Sequence, residues 1–261
     1  MTYGFLPATK EEFDRSGIGV PDFVYVSGDA YVDHPSFGAA IITRILDAAG
    51  FSVAVLAQPN FRSTEDFMRY GKPRLGFLVS SGNVDSMVAH YTAAKKKRSD
   101  DWYSPGRRAG LRPDRAVIVY TNRIREAYGD IPVIIGGLEA SLRRFAHYDY
   151  WSDKVRRSIL VDSRADILSY GMGENSIRRI AELLARGVPV KKIRDVRGTA
   201  YLCRRGEKLN FDPVRGTREE PEGYDYDELK TSKAAYAAAF AEQYANNDAV
   251  NGRALVEYYD D

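Results

Sequence analysis

Cysteine is nearly absent from this chain: Cys203 is the single one among 261 residues. That excludes a disulfide framework, a cysteine-based zinc site and a three-cysteine iron–sulfur site within these residues. Histidine is scarce too. His34, His90 and His147 are far apart, with no H-x-x-x-H spacing to place two on one helix face. An excess of one charge is also missing, since 38 basic residues face 36 acidic ones for a formal +2. Bulk electrostatics makes no case for nucleic acid, and only local clusters can carry one. No window approaches the length of a membrane span, and "MTYGFLPATKEEFDRSG" lacks the apolar core of a secretion signal. The expectation is a cytoplasmic chain with no membrane partner.

What is present suits a folded domain. Hydrophobic residues make up 44% and charged ones 28%, a globular composition. Apolar runs alternate with helix-period segments. "FVYVSG", "FSVAVLAQP", "LGFLVSSG" and "IPVIIGG" read as buried strands, and "SILVDSRADILSYG" supplies one or two more. "SFGAAIITRILDAAG" and "NSIRRIAELLARG" read as helices closed by Gly50 and Gly187, "KAAYAAAFAEQYANN" as another, and Pro113 to Tyr128 as a fourth. "STEDFMRYG" predicts a short helix capped by Ser63, with Asp66 three residues on. Trp102 to Arg112 reads as a long loop, and "KKKR" (Lys95–Arg98) as a solvated helix face. The rhythm predicts an α/β fold: a doubly wound, mostly parallel sheet of about five or more strands. The expected division is 1–196 for this domain and 197–261 for an extension leading toward a further domain. "GRALVEYYDD" opens a strand with no turn after it, which reads as a piece of something longer or as an edge-pairing terminus.

Open parallel sheets take ligands beyond the carboxyl ends of their strands. Those ends carry Gly28, Asp29, Asp33 and His34 after the first strand, and Ser80, Gly82 and Asn83 after the third. Gly136, Gly137 and Glu139 follow "PVII", and Gly171, Gly173 and Glu174 follow "ADILSY". Glycine permits close backbone approach, and helix N-termini offer unpaired N–H groups. One such junction is ordinary turn chemistry; four along one edge point to a crevice. The G-x-G-x-x-G spacing of a dinucleotide site is missing, which argues against NAD. His34 reads as a metal ligand, a general acid or base, or a loop histidine bonding the turn before Pro35. "LEASLRRFAHYDYWSDKVRRSIL" interleaves Arg143, Arg144, Arg156 and Arg157 with His147, Tyr148 and Trp151. Arginine among aromatics suits phosphate and base contacts, a docking face, or a helix whose arginines pair with Asp149, Asp153 and Glu139.

Long segments carry a resemblance. "SGDAYVDHPSFGAAIITRILDAAGFSVAVLAQP", "GNVDSMVAHYTAAKKKRSDD", "GLRPDRAVIVYTNRIRE", "PVIIGGLEASLRRFAHYDYWSDKVRRSILVDSRADILSYGMGE" and "IRDVRGTAY" are similar to the N-terminal region of YgiQ-type radical S-adenosylmethionine (radical SAM) proteins. The resemblance implies a cobalamin-binding-like, flavodoxin-like domain ahead of a radical SAM barrel. In that barrel a C-x-x-x-C-x-x-C motif holds a 4Fe–4S cluster that cleaves S-adenosylmethionine. This chain lacks the motif, so the resemblance implies an accessory domain that binds or positions a cofactor or substrate beside a barrel located elsewhere. It points to Gly136 and Gly137 along a corrin tail, and to Gly171, Gly173 and Glu174 in the late turn. Cobalamin domains that ligate cobalt through histidine carry D-x-H-x-x-G. Here Asp33 and His34 are adjacent and Gly38 lies four residues beyond the histidine. Either a corrin binds without His34, or the fold persists without the cofactor. The other readings are a docking domain without cofactor and a module that recognises RNA or a nucleotide through residues 143–157.

Overall fold

Three buried runs, Phe23–Ser27 (β1), Val53–Ala57 (β2) and Gly76–Ser80 (β3), pair in parallel register, with Tyr25 opposite Val55 on one side and Leu78 on the other. The computed structural model describes residues 4–248 and 250–259. Val133–Gly136 (β4) and Ile167–Ser169 (β7) extend the parallel run, and Thr199–Tyr201 (β8) closes it antiparallel to β7. The six-stranded order is β2-β1-β3-β4-β7-β8. Strands covered on both faces have no solvent side, so their sequences run apolar without alternation.

Helices Gly38–Ala48 (α2) and Glu174–Ala185 (α7) cover one face, setting Leu46, Ile177 and Ile180 against Phe23, Leu78 and Ile134. The other face meets Lys10–Arg15 (α1), Ala116–Tyr128 (α4) and Ile159–Ser163 (α6), through Phe13, Tyr120, Ile124 and Leu160. Ser86–His90 (α3) and Gly137–Leu142 (α5) are short helices after β3 and β4. His147–Asp149 (β5) and Lys154–Arg156 (β6) form an antiparallel hairpin. Tyr226–Thr231 (α8) and Lys233–Ala245 (α9) follow Tyr224–Asp225 (β9), which pairs in parallel with Glu257–Tyr258 (β10).

The doubly wound fold is the one the sequence predicts, with local differences. "SILVDS" is helical: Ser158 Oγ accepts from the Leu160 N–H at 3.2 Å, and Ile159 and Leu160 are buried against the sheet. An apolar run this short suits either state, and the cap decides. The expected Ser63-capped helix is a three-residue 3₁₀ turn, Asp66–Met68, because the Asp66 carboxylate is used by the Asn60 N–H at 2.7 Å and by Arg69. "KKKR" lies in a turn with Lys95 at φ +58°, closed by a Tyr91–Lys97 bridge, so it is no helix face. Residues 147–156 are the β5–β6 hairpin and no helix runs through them. The expected last strand does pair, with β9; its residues 260 and 261 lie outside the described residues. The sheet's sixth strand, Thr199–Tyr201, falls beyond residue 196.

Candidate functional site

Strand order reverses at β1, where the chain moves first to β2 on one side and then to β3 on the other. The loops after β1 and β3 therefore diverge and leave a crevice beyond their carboxyl ends. A cavity of about 360 Å³ opens there. Tyr25, Leu78, Ile134, Ile42 and Ile177 form an apolar floor, and Asp29, Ser80, Gly82, Asn83, Gly136, Gly137, Gly171, Gly173 and Glu174 form its polar and glycine rim. All four strand ends picked from sequence thus meet at one cavity. Gly137 sits at φ +80° with the position of a Cβ only 2.6 Å from Ser80 Oγ, so a side chain there would close the rim. Neither α2 nor α7, whose first residues line the cavity, has a side-chain N-cap hydrogen bond. Their end N–H groups are available to oxygen atoms of a ligand.

Under the rim lies an ion cluster that the sequence reading missed. Arg112 is 1% exposed, Asp101 2% and Asp29 3%. The Arg112 guanidinium donates to Asp29 Oδ1 at 2.7 Å, to the Ser81 carbonyl at 2.8 Å, and to both Asp101 oxygens at 2.6 and 2.8 Å. Asp29 Oδ2 accepts from the Asn83 N–H at 2.6 Å. Burial pushes the Asp29 carboxyl up to about 6, with Arg112 and the Asn83 N–H pulling the other way. Asp101, held bidentately, stays below the usual carboxylate range although its burial acts to raise it. No local pattern marks Arg112: its partners are distant in sequence, and it ends a stretch readable only as loop. Gly28 belongs to this support and lines no part of the cavity. A Cβ on it would lie 2.1 Å from the Ser81 carbonyl oxygen.

Glu139 is likewise structural. It is buried, and its two oxygens accept from the Ser86 N–H at 2.9 Å and the Val117 N–H at 3.0 Å, capping α3 and α4 at once. Burial and the neighbouring Asp85 raise its pKa, and Arg143, paired with Asp85, opposes them. Glu139→Ala strands two buried donors at about 1–3 kcal/mol each. Urea unfolding of that variant should show the loss, and Glu139→Gln, which keeps one acceptor, should lose less. Equal stability of Glu139→Ala and wild type would remove the capping role.

A family model described as Radical SAM N-terminal matches residues 5–261. The chain belongs to the Radical SAM N-terminal family. A UPF0313 protein of Clostridium botulinum (strain 657 / Type Ba4) is 55% identical over 253 residues, covering 97% of this chain and 38% of that protein. A UPF0313 protein of Geobacter sulfurreducens is 53% identical over 236 residues, covering 90% of this chain and again 38% of the relative. The chain thus spans well under half the length of the curated relatives it matches. Among solved structures, the radical S-adenosylmethionine methyltransferase TsrM from Kitasatospora setae, with cobalamin and a 4Fe–4S cluster bound, has a TM-score of 0.43. The identity is 20%, covering 77% of this chain and 31% of that one.

In this Radical SAM N-terminal domain the Asp33–His34 pair stands off the cavity. Asp33 is held by Arg44, whose Nε donates to its Oδ2 at 3.1 Å. His34 is exposed, and its Nδ1 accepts from the Ser36 N–H at 3.1 Å, as a loop histidine does. Among the described residues no three His, Cys, Asp or Glu side chains converge as a metal site. The arginines of the aromatic segment face carboxylates of the domain itself: Arg143 on Asp85, and Arg156 and Arg157 on Asp162 at 2.9 and 2.6 Å. Arg144 stacks 5.0 Å over the Tyr170 ring beside a second cavity of about 420 Å³ between the sheet edge and the C-terminal segment. Burial drives the His147 pKa down to about 4. Tyr148 and Tyr150 stay exposed, and Trp151 is half-buried. Among the described residues no helix is long and apolar enough to cross a membrane.

Proposed function

We propose that the domain is the accessory module of a radical SAM enzyme and holds the tail of a corrin in the carboxyl-edge cavity. The catalytic domain with its 4Fe–4S cluster and S-adenosylmethionine belongs, on this reading, to the rest of a longer protein. The observation that carries it is one cavity built from four strand ends, with an apolar floor for a heterocycle, a glycine rim, and two uncapped helix N-termini. Pockets for small organic groups have this character: apolar walls and a few placed polar atoms. Gly136 and Gly137 let the chain pass close to the tail. The Asn83 side chain, donating to the Ser36 carbonyl at 3.2 Å, ties the β3 loop to the β1 loop across the entrance. When bound, the corrin would supply a redox-active cobalt centre. The cavity residues include no histidine, so on this reading no side chain of this domain ligates the cobalt. Leu138, Leu142 and Met172 are 46%, 61% and 87% exposed along the same edge, apolar surface suited to a covering domain.

Titration with hydroxocobalamin, followed in the visible spectrum, tests the reading. Saturable binding below about 100 µM is expected. Ile42→Trp, which fills the cavity from α2, should weaken it at least about 10-fold, while His34→Ala should leave affinity and spectrum unchanged. Absence of binding would leave a docking domain without cofactor, and full binding by Ile42→Trp would overturn the assignment of the corrin to this cavity.

A further inference from the structure

Two motifs far apart in sequence meet on one face, flanked by a groove that shares no lining residue with the cavity. The turn carrying Lys95, Lys96, Lys97 and Arg98 lies against the tip of the β5–β6 hairpin. Tyr150 Oη donates to the Ala93 carbonyl at 2.6 Å, and Lys95 Nζ stands 4.7 Å from the centre of the Tyr150 ring. The Tyr91 and Trp151 rings are 5.3 Å apart beside them. On the other flank Lys96, Lys97 and Arg98 share an open groove of about 520 Å³ with Trp102. Trp102 is 69% exposed and carries the Arg107 guanidinium 3.8 Å from its ring centre.

The charge here is uncompensated. Lys95, Lys96, Lys97, Arg98, Arg107 and Arg108 are all exposed, and among the described residues none has a carboxylate oxygen within 4.0 Å. The nearby acids are mostly engaged elsewhere: Asp101 with Arg112, Asp114 with His90 and Tyr91, and Asp149 with Arg115. Asp100, which lines the groove, and Asp153, in the turn of the hairpin, are the exposed exceptions. Near-neutral overall charge thus conceals a local basic patch with exposed rings between its cations. Phosphates satisfy such cations, and unpaired bases stack on such rings. An acidic peptide offers the rings no planar partner, and a duplex keeps its base faces covered. We propose that this face binds single-stranded nucleic acid. The site uses none of the cavity's lining residues and none of Arg143, Arg156 and Arg157, which are neutralised within the domain.

Fluorescence anisotropy with a labelled single strand of about 20 nucleotides, in about 50 mM salt, tests it. Binding is expected to be tighter than for the matching duplex or for polyglutamate, and to weaken steeply with salt. Lys96→Ala with Lys97→Ala should reduce the slope of log K against log salt by about 1.4. Trp102→Ala should weaken binding about 10-fold and leave the slope unchanged. These side chains are exposed, and circular dichroism verifies the fold of each variant. Absence of saturable binding overturns the proposal, as does equal affinity for polyglutamate or for the duplex, or unaltered binding by Trp102→Ala.

Discussion

Arg112→Met should cost about 3–5 kcal/mol of stability, the range for breaking a buried ion pair by removing one partner. Methionine fills much of the same volume but leaves two buried carboxylates and the Ser81 carbonyl facing one another with no cation between them, and only the Asn83 and Tyr103 N–H groups still donate to Asp29 and Asp101. The Asp29 pKa already stands near 6 with the arginine present, because burial outweighs its partners. Without Arg112 the two carboxylates would have to share protons or draw water into the crevice. Urea unfolding near neutral pH gives the magnitude. Adding Asp29→Asn and Asp101→Asn to Arg112→Met should recover part of the loss, since the penalty belongs to unpaired charge. A loss under about 1 kcal/mol would show that solvent reaches the cluster and that it does not brace the rim.

Gly82→Ala should be the second large loss. The residue sits at φ +104°, and its Cβ would fall 2.0 Å from Asp29 Oδ1. The backbone term is about 1–3 kcal/mol, and crowding against a carboxylate already fixed by Arg112 adds about 1–3 kcal/mol. Gly110→Ala separates the two: Gly110 has φ +86° and nothing within 4 Å of a Cβ, so it carries the backbone term alone. Chemical denaturation of both variants should show the larger drop for Gly82→Ala. Equal drops would mean that the approach of Gly82 to Asp29 constrains nothing. The variant should also loosen the Asn83 N–H bond to Asp29, and with it the cavity entrance.

The layered fold was legible because burial on both faces forces long apolar runs, and β1 to β4 each carry one. The ends of those strands were legible too, since a parallel sheet must place them on one edge. The shorter elements were not. "SILVDS" and "STEDFMRYG" are too brief for periodicity to choose a state, and hydrogen bonds accepted by Ser158 Oγ and the Asp66 carboxylate made the choice. At the cavity, Asp29, Ser80, Gly82, Asn83 and the later glycines were found by position alone. Glu139 was in the right turn but serves as a double helix cap. Arg112 left no signal, because its role exists only where three distant segments close around it.

The order of apolar and polar residues by itself determined the α/β class, the parallel sheet and the edge on which the strand ends gather, because these follow from local periodicity and from the geometry of parallel strands. Tertiary structure alone decided which side chains face that edge. It paired Asp33 with Arg44, turned His34 to solvent, used Gly28 and Glu139 as supports, and joined "KKKR" to the hairpin that carries Tyr150 and Trp151. Each of these depends on charge pairing or close approach between residues remote in the chain, and such energies have no counterpart in local sequence.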